Sequence, residues 1–374
     1  MRRVCLTLAI VISAVIPVVG VTACGEDSGG GDEPVKATLV LDFLPNGVHA
    51  GVYEALASGA YRDEGIDLEV LTPTSTADTI RLIQSGKADF GLADGIDVAT
   101  QIDAGRDVRA VMAVTQRPSG GLITLAGEGI DSPGGLGGKT VGVTGVPSDT
   151  AVFETMVEEA GGDPGASKVV TVGFGGIQAL LAGRISAFTG YLPADAPVVE
   201  SKGKQTRSFA FDEFGGPSYP GLVAFSTGSR IAEDPELVEA FVDATSEGYS
   251  RALEDPQAAI SAMVEALPEL DADLALETFR AYEPLISTSG SLGSIDRDSV
   301  EQLSDFLVGE ELISSPIDSS QFDAYPGSAS EPLEAGVGSI VIYGSAGGDV
   351  IVAVLASPGC RRRSVGPAKL TNEV

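Results

Sequence analysis

The chain has no tryptophan, a single histidine (His49) and three cysteines in 374 residues. One histidine excludes any site that needs two. Cys5, Cys24 and Cys360 form no CxxC pair, no zinc cluster and no disulfide framework. Basic residues are scarce as well: 23 Lys and Arg stand against 53 Asp and Glu, a net charge of -30. Nucleic acid and acidic lipid surfaces would repel such a chain, so neither is expected as a partner. Apolar residues are plentiful, at 43%. Over this length that suffices for a folded body of two lobes, each with its own core.

The N-terminus reads as an address. Met1-Arg2-Arg3 is a basic start, Val4 to Val21 an apolar run, and Thr22-Ala23-Cys24-Gly25 a small-residue end. This order is that of a secretory signal. The residues before Cys24 resemble a bacterial lipobox, in which the Cys becomes the lipidated, palmitate-bearing first residue. An uncleaved membrane anchor is the alternative. Both put the body on the extracytoplasmic face of the cell membrane. The expected division is 1–23 signal peptide, 24–35 flexible tether, 36–117 with 226–327 as lobe 1, 118–225 as lobe 2, and 328–374 a tail.

Within the body, strand-like and helix-like stretches alternate. Ala37–Phe43 reads as a strand, Val48–Ser58 as a helix, Ile66–Leu71 as a strand and Thr76–Ser85 as a helix. The pattern continues, so an α/β fold with a largely parallel sheet is predicted. Gln116–Gly121 breaks it and suggests a crossing between lobes, and Leu222–Ser226 is a candidate return strand. From Pro235 onward four helices follow, with Asp234-Pro235, Asp255-Pro256 and Asp271 as N-cap signals. They are expected to form a helical layer over the first lobe. In the tail, two apolar runs flank Ser345-Ala-Gly-Gly348. A β-hairpin, an apolar span ended by arginines and a sequence error all fit that pattern.

Ligands in open α/β sheets bind beyond the carboxyl ends of strands. That rule singles out Asp42, Asn46, His49 and Tyr53, where the first strand hands over to the first helix. His49 has no second histidine or cysteine nearby, which favours a ligand contact over a catalyst; a hydrogen-bonded structural histidine is the alternative. Ser148 and Asp149 begin a helix after the strand Thr140–Thr144. They could hold a polar ligand edge, or simply cap the helix. Tyr191 and Asp195 share the strand-end logic, and Tyr219 precedes the strand at Leu222. Pro133-Gly-Gly-Leu-Gly-Gly-Lys-Thr140 is not a phosphate loop. Pro133 replaces its first Gly, and the loop precedes a strand instead of following one. Gly173-Phe-Gly-Gly176 is too short for a dinucleotide fingerprint.

Several segments together resemble solute-binding proteins of the thiamine-pyrimidine-precursor group. They are Asp42-Phe-Leu-Pro-Asn46 with His49 and Tyr53, Gly65-Ile-Asp-Leu-Glu69, Leu82–Gly91, and Gly137-Gly-Lys-Thr-Val-Gly-Val143 with Gly145, Pro147 and Ser148. The likeness covers about residues 36–310. It implies a two-lobed periplasmic-binding-protein type II fold, a small-molecule ligand between the lobes, ABC permease subunits as partners, and a monomer. The implied ligand is a thiamine-pyrimidine precursor or related heterocycle. More distant members imply sulfonates, nitrate or riboflavin-like solutes. Pyrimidine-binding members carry Trp at strand ends with a nearby acid; here Tyr191 and Asp195 take similar spacing. The resemblance also extends to yeast-type pyrimidine synthases, with a cysteine-rich iron segment and a cofactor lysine. This chain has no such cysteine cluster and no Lys between Lys36 and Lys87. The expectation is therefore a binding protein, not an enzyme, with no metal and no cofactor.

Overall fold

The computed structural model describes residues 33–287 and 292–322, and a short antiparallel pairing of Tyr343–Gly344 with Val350–Ile351 where the tail suggested a hairpin. The predicted signal peptide, Cys24 and most of the predicted tether and tail lie outside the described residues. No helix among the described residues is long and apolar enough to cross a membrane.

Two five-stranded sheets carry the fold. The first contains β1 (Val35–Val40), β2 (Ile66–Leu71), β3 (Phe90–Asp94), β4 (Arg109–Ala113) and β10 (Leu222–Ser226), ordered β2-β1-β3-β10-β4. The second contains β5 (Gly120–Leu125), β6 (Thr140–Val143), β7 (Lys168–Thr171), β8 (Ala187–Tyr191) and β9 (Thr206–Ala210), ordered β7-β6-β8-β5-β9. Neither sheet is wholly parallel. β10 runs antiparallel to β3 and β4, and β5 runs antiparallel to β8 and β9. The reason is topological. β4 and β9 end at the cleft, and the next strand must start there and run away from it.

β1 pairs with β2 in parallel from Val35↔Ile66 to Val40↔Leu71. It therefore begins inside the predicted tether and stops three residues short of Phe43. The lobe 2 boundary is also corrected. Leu222–Ser226 pairs with β3 and β4, so the return to the first lobe precedes Leu222 and does not wait for residue 226. The two crossing segments are laced together. Gly221 N donates to the Thr115 carbonyl at 3.0 Å, and Leu222 N donates to Thr115 Oγ1 at 2.8 Å. Arg117 Nε donates to Asp212 Oδ2 at 3.2 Å beside them.

The helices are α1 (Ala50–Ser58), α2 (Ala60–Asp63), α3 (Thr76–Gln84) and α4 (Gly95–Asp103) in the first lobe, then α5 (Pro147–Glu159), α6 (Gly176–Leu181) and α7 (Leu192–Ser201) in the second. α8 (Gly228–Glu233), α9 (Pro235–Glu254), α10 (Pro256–Ala266), α11 (Ala272–Ile286) and α12 (Arg297–Gly309) follow the return strand. The capping signals form as expected. Asp234, Asp255 and Asp271 accept from Leu237 N, Ala258 N and Leu274 N at 3.2, 3.0 and 3.1 Å. Each cap satisfies a helix-start donor and stabilises by about 1 kcal/mol. α9 then lies against α1 and the first sheet, where Phe90 stacks on Phe241 with ring centroids 3.9 Å apart.

Candidate functional site

The first-lobe residues expected at the cleft fold inward. Leu41 continues the β1 pairing through a bond from its N to the Leu71 carbonyl, and the chain then turns. Asn46 caps the short 3-10 turn Gly47–His49: its Oδ1 accepts from Val48 N at 3.1 Å. Its backbone N donates to His49 Nδ1 at 3.1 Å. That leaves His49 Nε2 to carry the proton, which it gives to Asp42 Oδ1 at 2.8 Å. His49 is fully buried and Asp42 nearly so. Both ring nitrogens are thus used within the chain, the arrangement of a structural histidine. Tyr53 is buried on α1, and burial raises its phenol pKa. None of Asp42, Asn46, His49 and Tyr53 lines the interlobe cavity.

This turn is held down by the C-terminal helices. Tyr249 of α9 donates to the Val48 carbonyl at 2.8 Å. Gly47 sits so close to α11 that a Cβ there would fall 2.3 Å from Phe279 N and 2.4 Å from the Ala275 carbonyl. Only glycine lets the two backbones approach that far.

Between the lobes lies a cavity of about 80 Å³. A cavity that holds one water needs only roughly 10–15 Å³, so this space can take a small ring-sized molecule. Its first-lobe wall is Phe43, Asp94, Ile96 and Asp97; its second-lobe wall includes Thr144, Ser148, Asp149, Phe174, Thr189, Tyr191 and Asp195. Tyr219, before the return strand, completes it. All four predicted second-lobe residues line this space, and Phe43, next to Asp42 after β1, reaches it from the first lobe. Phe43 crosses the cleft to meet Phe174 edge-on, with centroids 4.3 Å apart, and Tyr191 at 6.3 Å.

The polar groups are arranged at element ends. Asp94 closes β3 and caps α4, accepting from Ile96 N at 2.9 Å and from the Tyr219 hydroxyl at 3.1 Å. Asp97, in the first turn of α4, accepts the Ser148 hydroxyl from across the cleft at 2.8 Å. Asp149 accepts from Thr144 N at 2.7 Å and from the Thr144 hydroxyl. Neither Ser148 nor Asp149 is the cap of α5; its N-cap is Val146, with Pro147 at the first helical position. Asp195, in the first turn of α7, accepts from Tyr191 N at 2.9 Å. Thr189 is buried, and its hydroxyl has no hydrogen-bond partner in the protein. It lies near enough to Asp149 to lower that carboxyl's pKa, but not in bonding geometry.

Burial dominates the electrostatics here, because a charge taken out of water is costly. It pushes the Asp97 carboxyl up to about 7 against the lowering bond from Ser148, with Asp149 raising it further. It pushes Asp195 up to about 7 against the bond from Tyr191 N. Asp94 is raised well above the usual carboxylate range by burial, with Asp97 adding to the effect. Asp149 is raised by burial, opposed first by the Thr144 hydroxyl. The Tyr191 and Tyr219 phenols are likewise driven up, first by burial and then by nearby carboxylates, Asp42 followed by Asp94 and Asp97 for Tyr191 and Asp94 followed by Asp97 for Tyr219. No cluster of three or more His, Cys, Asp or Glu suited to a metal is found among the described residues.

Sequence reasoning missed Asp94, Asp97, Phe174 and Thr189. The first two were detectable: Asp94 is an acid at a strand end that begins a helix, the same signal that singled out Asp149. Phe174 stands within the glycine stretch dismissed as a fingerprint. Thr189 carries no local signal.

Comparison with known proteins places these residues in context. A family model described as NMT1/THI5 like matches residues 46–259. The formylaminopyrimidine-binding protein of Halalkalibacterium halodurans is 29% identical over 314 residues, which span 82% of this chain and 95% of that one. The 4-amino-5-hydroxymethyl-2-methylpyrimidine phosphate synthase of Legionella pneumophila is 27% identical over 265 residues, spanning 70% of this chain and 83% of its own. Among solved structures, the alkanesulfonate-binding protein SsuA from Xanthomonas axonopodis pv. citri bound to MOPS is similar with a TM-score of 0.60 at 12% identity. That match covers 76% of this chain and 96% of SsuA. It speaks for the fold alone, which is the two-lobed periplasmic-binding-protein architecture.

Proposed function

This chain belongs to the NMT1/THI5-like family, and from that footing we propose that it is the extracytoplasmic solute-binding component of an ABC importer. Its ligand is a thiamine-pyrimidine precursor or a related small heterocycle. The observation that carries this reading is the interlobe cavity, sized for a single substituted ring and walled by Phe43, Phe174 and Tyr191. Aromatic rings offer a heterocycle stacked or edge contacts. Carboxylates accept hydrogen bonds from exocyclic amino groups. The proposed contacts are Ser148, Asp149, Tyr191 and Asp195 with Phe43, Asp94 and Asp97. Asp42, Asn46, His49 and Tyr53 then support the first-lobe wall from behind. Closing the lobes about the crossing segments would bury the ligand, and opening them at the permease would release it.

Binding is favoured over catalysis because the formylaminopyrimidine-binding relative matches more of this chain than the synthase does, 82% against 70%. In addition, among the described residues no lysine lines the cavity to offer an amine to an aldehyde cofactor. The proposal includes a lipid anchor at Cys24 and a monomeric body on the outer face of the membrane. Incorporation of a palmitate analogue, lost in Cys24→Ala, tests the anchor. Native mass spectrometry of freshly purified protein tests the ligand, followed by thermal-shift titration with pyrimidines, flavins, sulfonates and nitrate. A co-purifying aminopyrimidine, or stabilisation by one, is the expected result. No shift with any of these solutes would remove support for the transport role.

A further inference from the structure

Four carboxylates, those of Asp94, Asp97, Asp149 and Asp195, line the cavity, and among the described residues no lysine, arginine or histidine does. Two belong to each lobe, so closure brings them together. Such a cluster could be merely structural, but a separate feature points to an occupant. Thr189 is 4% exposed and lines the same cavity, and among the described residues its hydroxyl meets no partner in bonding geometry, although it lies close enough to Asp149 to lower that carboxyl. An orphaned buried hydroxyl is costly, and a ligand group in the cavity would satisfy it.

We propose that the cavity is a charge filter: it admits an uncharged amino-substituted ring and rejects the same ring bearing an anionic substituent, with Asp97 as the specificity-determining residue. This rests on the ligand reading above and adds the charge that the ligand must lack. Above the pH at which Asp97 and Asp195 ionise, an anion would enter a recessed space with no counter-cation among the described residues and like charges around it, where Coulomb repulsion is less screened than in bulk water. The sulfonate and nitrate alternatives fall on the rejected side. Asp97 holds the central place because it lies on the interlobe seam, bonded to Ser148. The groups facing it are Asp94 on its own strand–helix turn, Asp149 on α5, Tyr191 at the end of β8 and Tyr219 ahead of β10. Every one is acidic or phenolic, so none offers an anion a positive partner.

The test is calorimetric titration of the purified full chain with two probes on one scaffold. These are 4-amino-5-hydroxymethyl-2-methylpyrimidine and the sulfonic acid in which a C–SO₃⁻ group replaces the hydroxyl; both rings titrate alike, and the probes differ by the sulfonate's fixed negative charge. At about pH 8 the sulfonate is expected to bind at least about 100-fold more weakly than the alcohol. Asp97→Asn keeps an oxygen to accept from Ser148 and removes the charge, so it should narrow the gap to roughly tenfold. Once protonation of the probe rings, measured on the free probes in buffer, is allowed for, the gap in the wild-type protein should widen from about pH 5.5 to about pH 8.5 as Asp97 ionises. A purely structural role for Asp97 would not produce that trend. Equal affinity for the two probes overturns the filter and leaves the solute-binding role standing. Binding of neither probe overturns both. Should Asp97→Asn not fold, the wild-type pH series decides, and a flat ratio removes Asp97 from the role.

Discussion

The two lobes share a strand order, yet they use equivalent turns in opposite ways. β1 and β6 hold the same place in their sheets, second from the edge and parallel to both neighbours. After β6, the turn presents Thr144, Ser148 and Asp149 to the cavity. After β1, the turn buries Asp42 and His49 as a hydrogen-bonded pair. The difference lies in what covers them. The first-lobe turn is clamped beneath α9 and α11, with Tyr249 bonded to Val48 and Phe279 against Gly47. Among the described residues the turn after β6 instead lines the cleft, through Thr144, Val146, Ser148 and Asp149. A strand end marks where a ligand site can form; the layer packed over it decides whether its side chains become wall or core.

Each lobe's contribution can be separated by experiment. The largest expected effect is on the pH dependence of stability. Asp97 titrates near 7 in the folded protein against an ordinary value of 3.8. A carboxyl raised on folding favours the folded state when protonated. Its contribution is therefore full below about pH 4 and is lost as pH rises towards and through about 7. The gap corresponds to on the order of 4 kcal/mol for this buried group. Urea unfolding of the ligand-free protein should show falling stability from pH 4 to pH 8. Asp97→Asn should flatten part of that slope; an unchanged slope would place the burden on other carboxyls.

Next in size is His49→Ala. It leaves Asp42 buried without its donor and opens space in the core, so a loss of about 3 kcal/mol is expected. Ligand affinity per folded molecule should hold within a few-fold, and a large fall in affinity with normal stability would return His49 to the ligand wall. Gly47→Ala should cost about 2 kcal/mol, because its Cβ meets backbone atoms that cannot rotate away. Chemical denaturation reads both. The smallest effect is expected at Phe43→Ala. Removing one aromatic contact across the cleft should weaken ligand binding by roughly tenfold or less while barely moving stability. Titration calorimetry would register it.

The amino-acid order alone determined the alternation of strands and helices, because burial on one face imposes a period on each element. It fixed the N-caps at Asp234, Asp255 and Asp271, because a cap is a contact between residues three apart. It also pointed to Ser148, Asp149, Tyr191 and Asp195, each within a few residues of a strand's end. Tertiary structure alone decided the rest. β5 and β10 run against their neighbours because each starts at the cleft, which depends on where the chain crosses between lobes. Thr189 became an orphaned hydroxyl, and Asp97 a partner of Ser148, only when two sheets met. Asp42 and His49 left the ligand wall because helices some 200 residues later in the chain closed over them, as the bond between Val48 and Tyr249 records. Local patterns specify local contacts; which side of a turn faces water depends on partners that no short stretch of sequence contains.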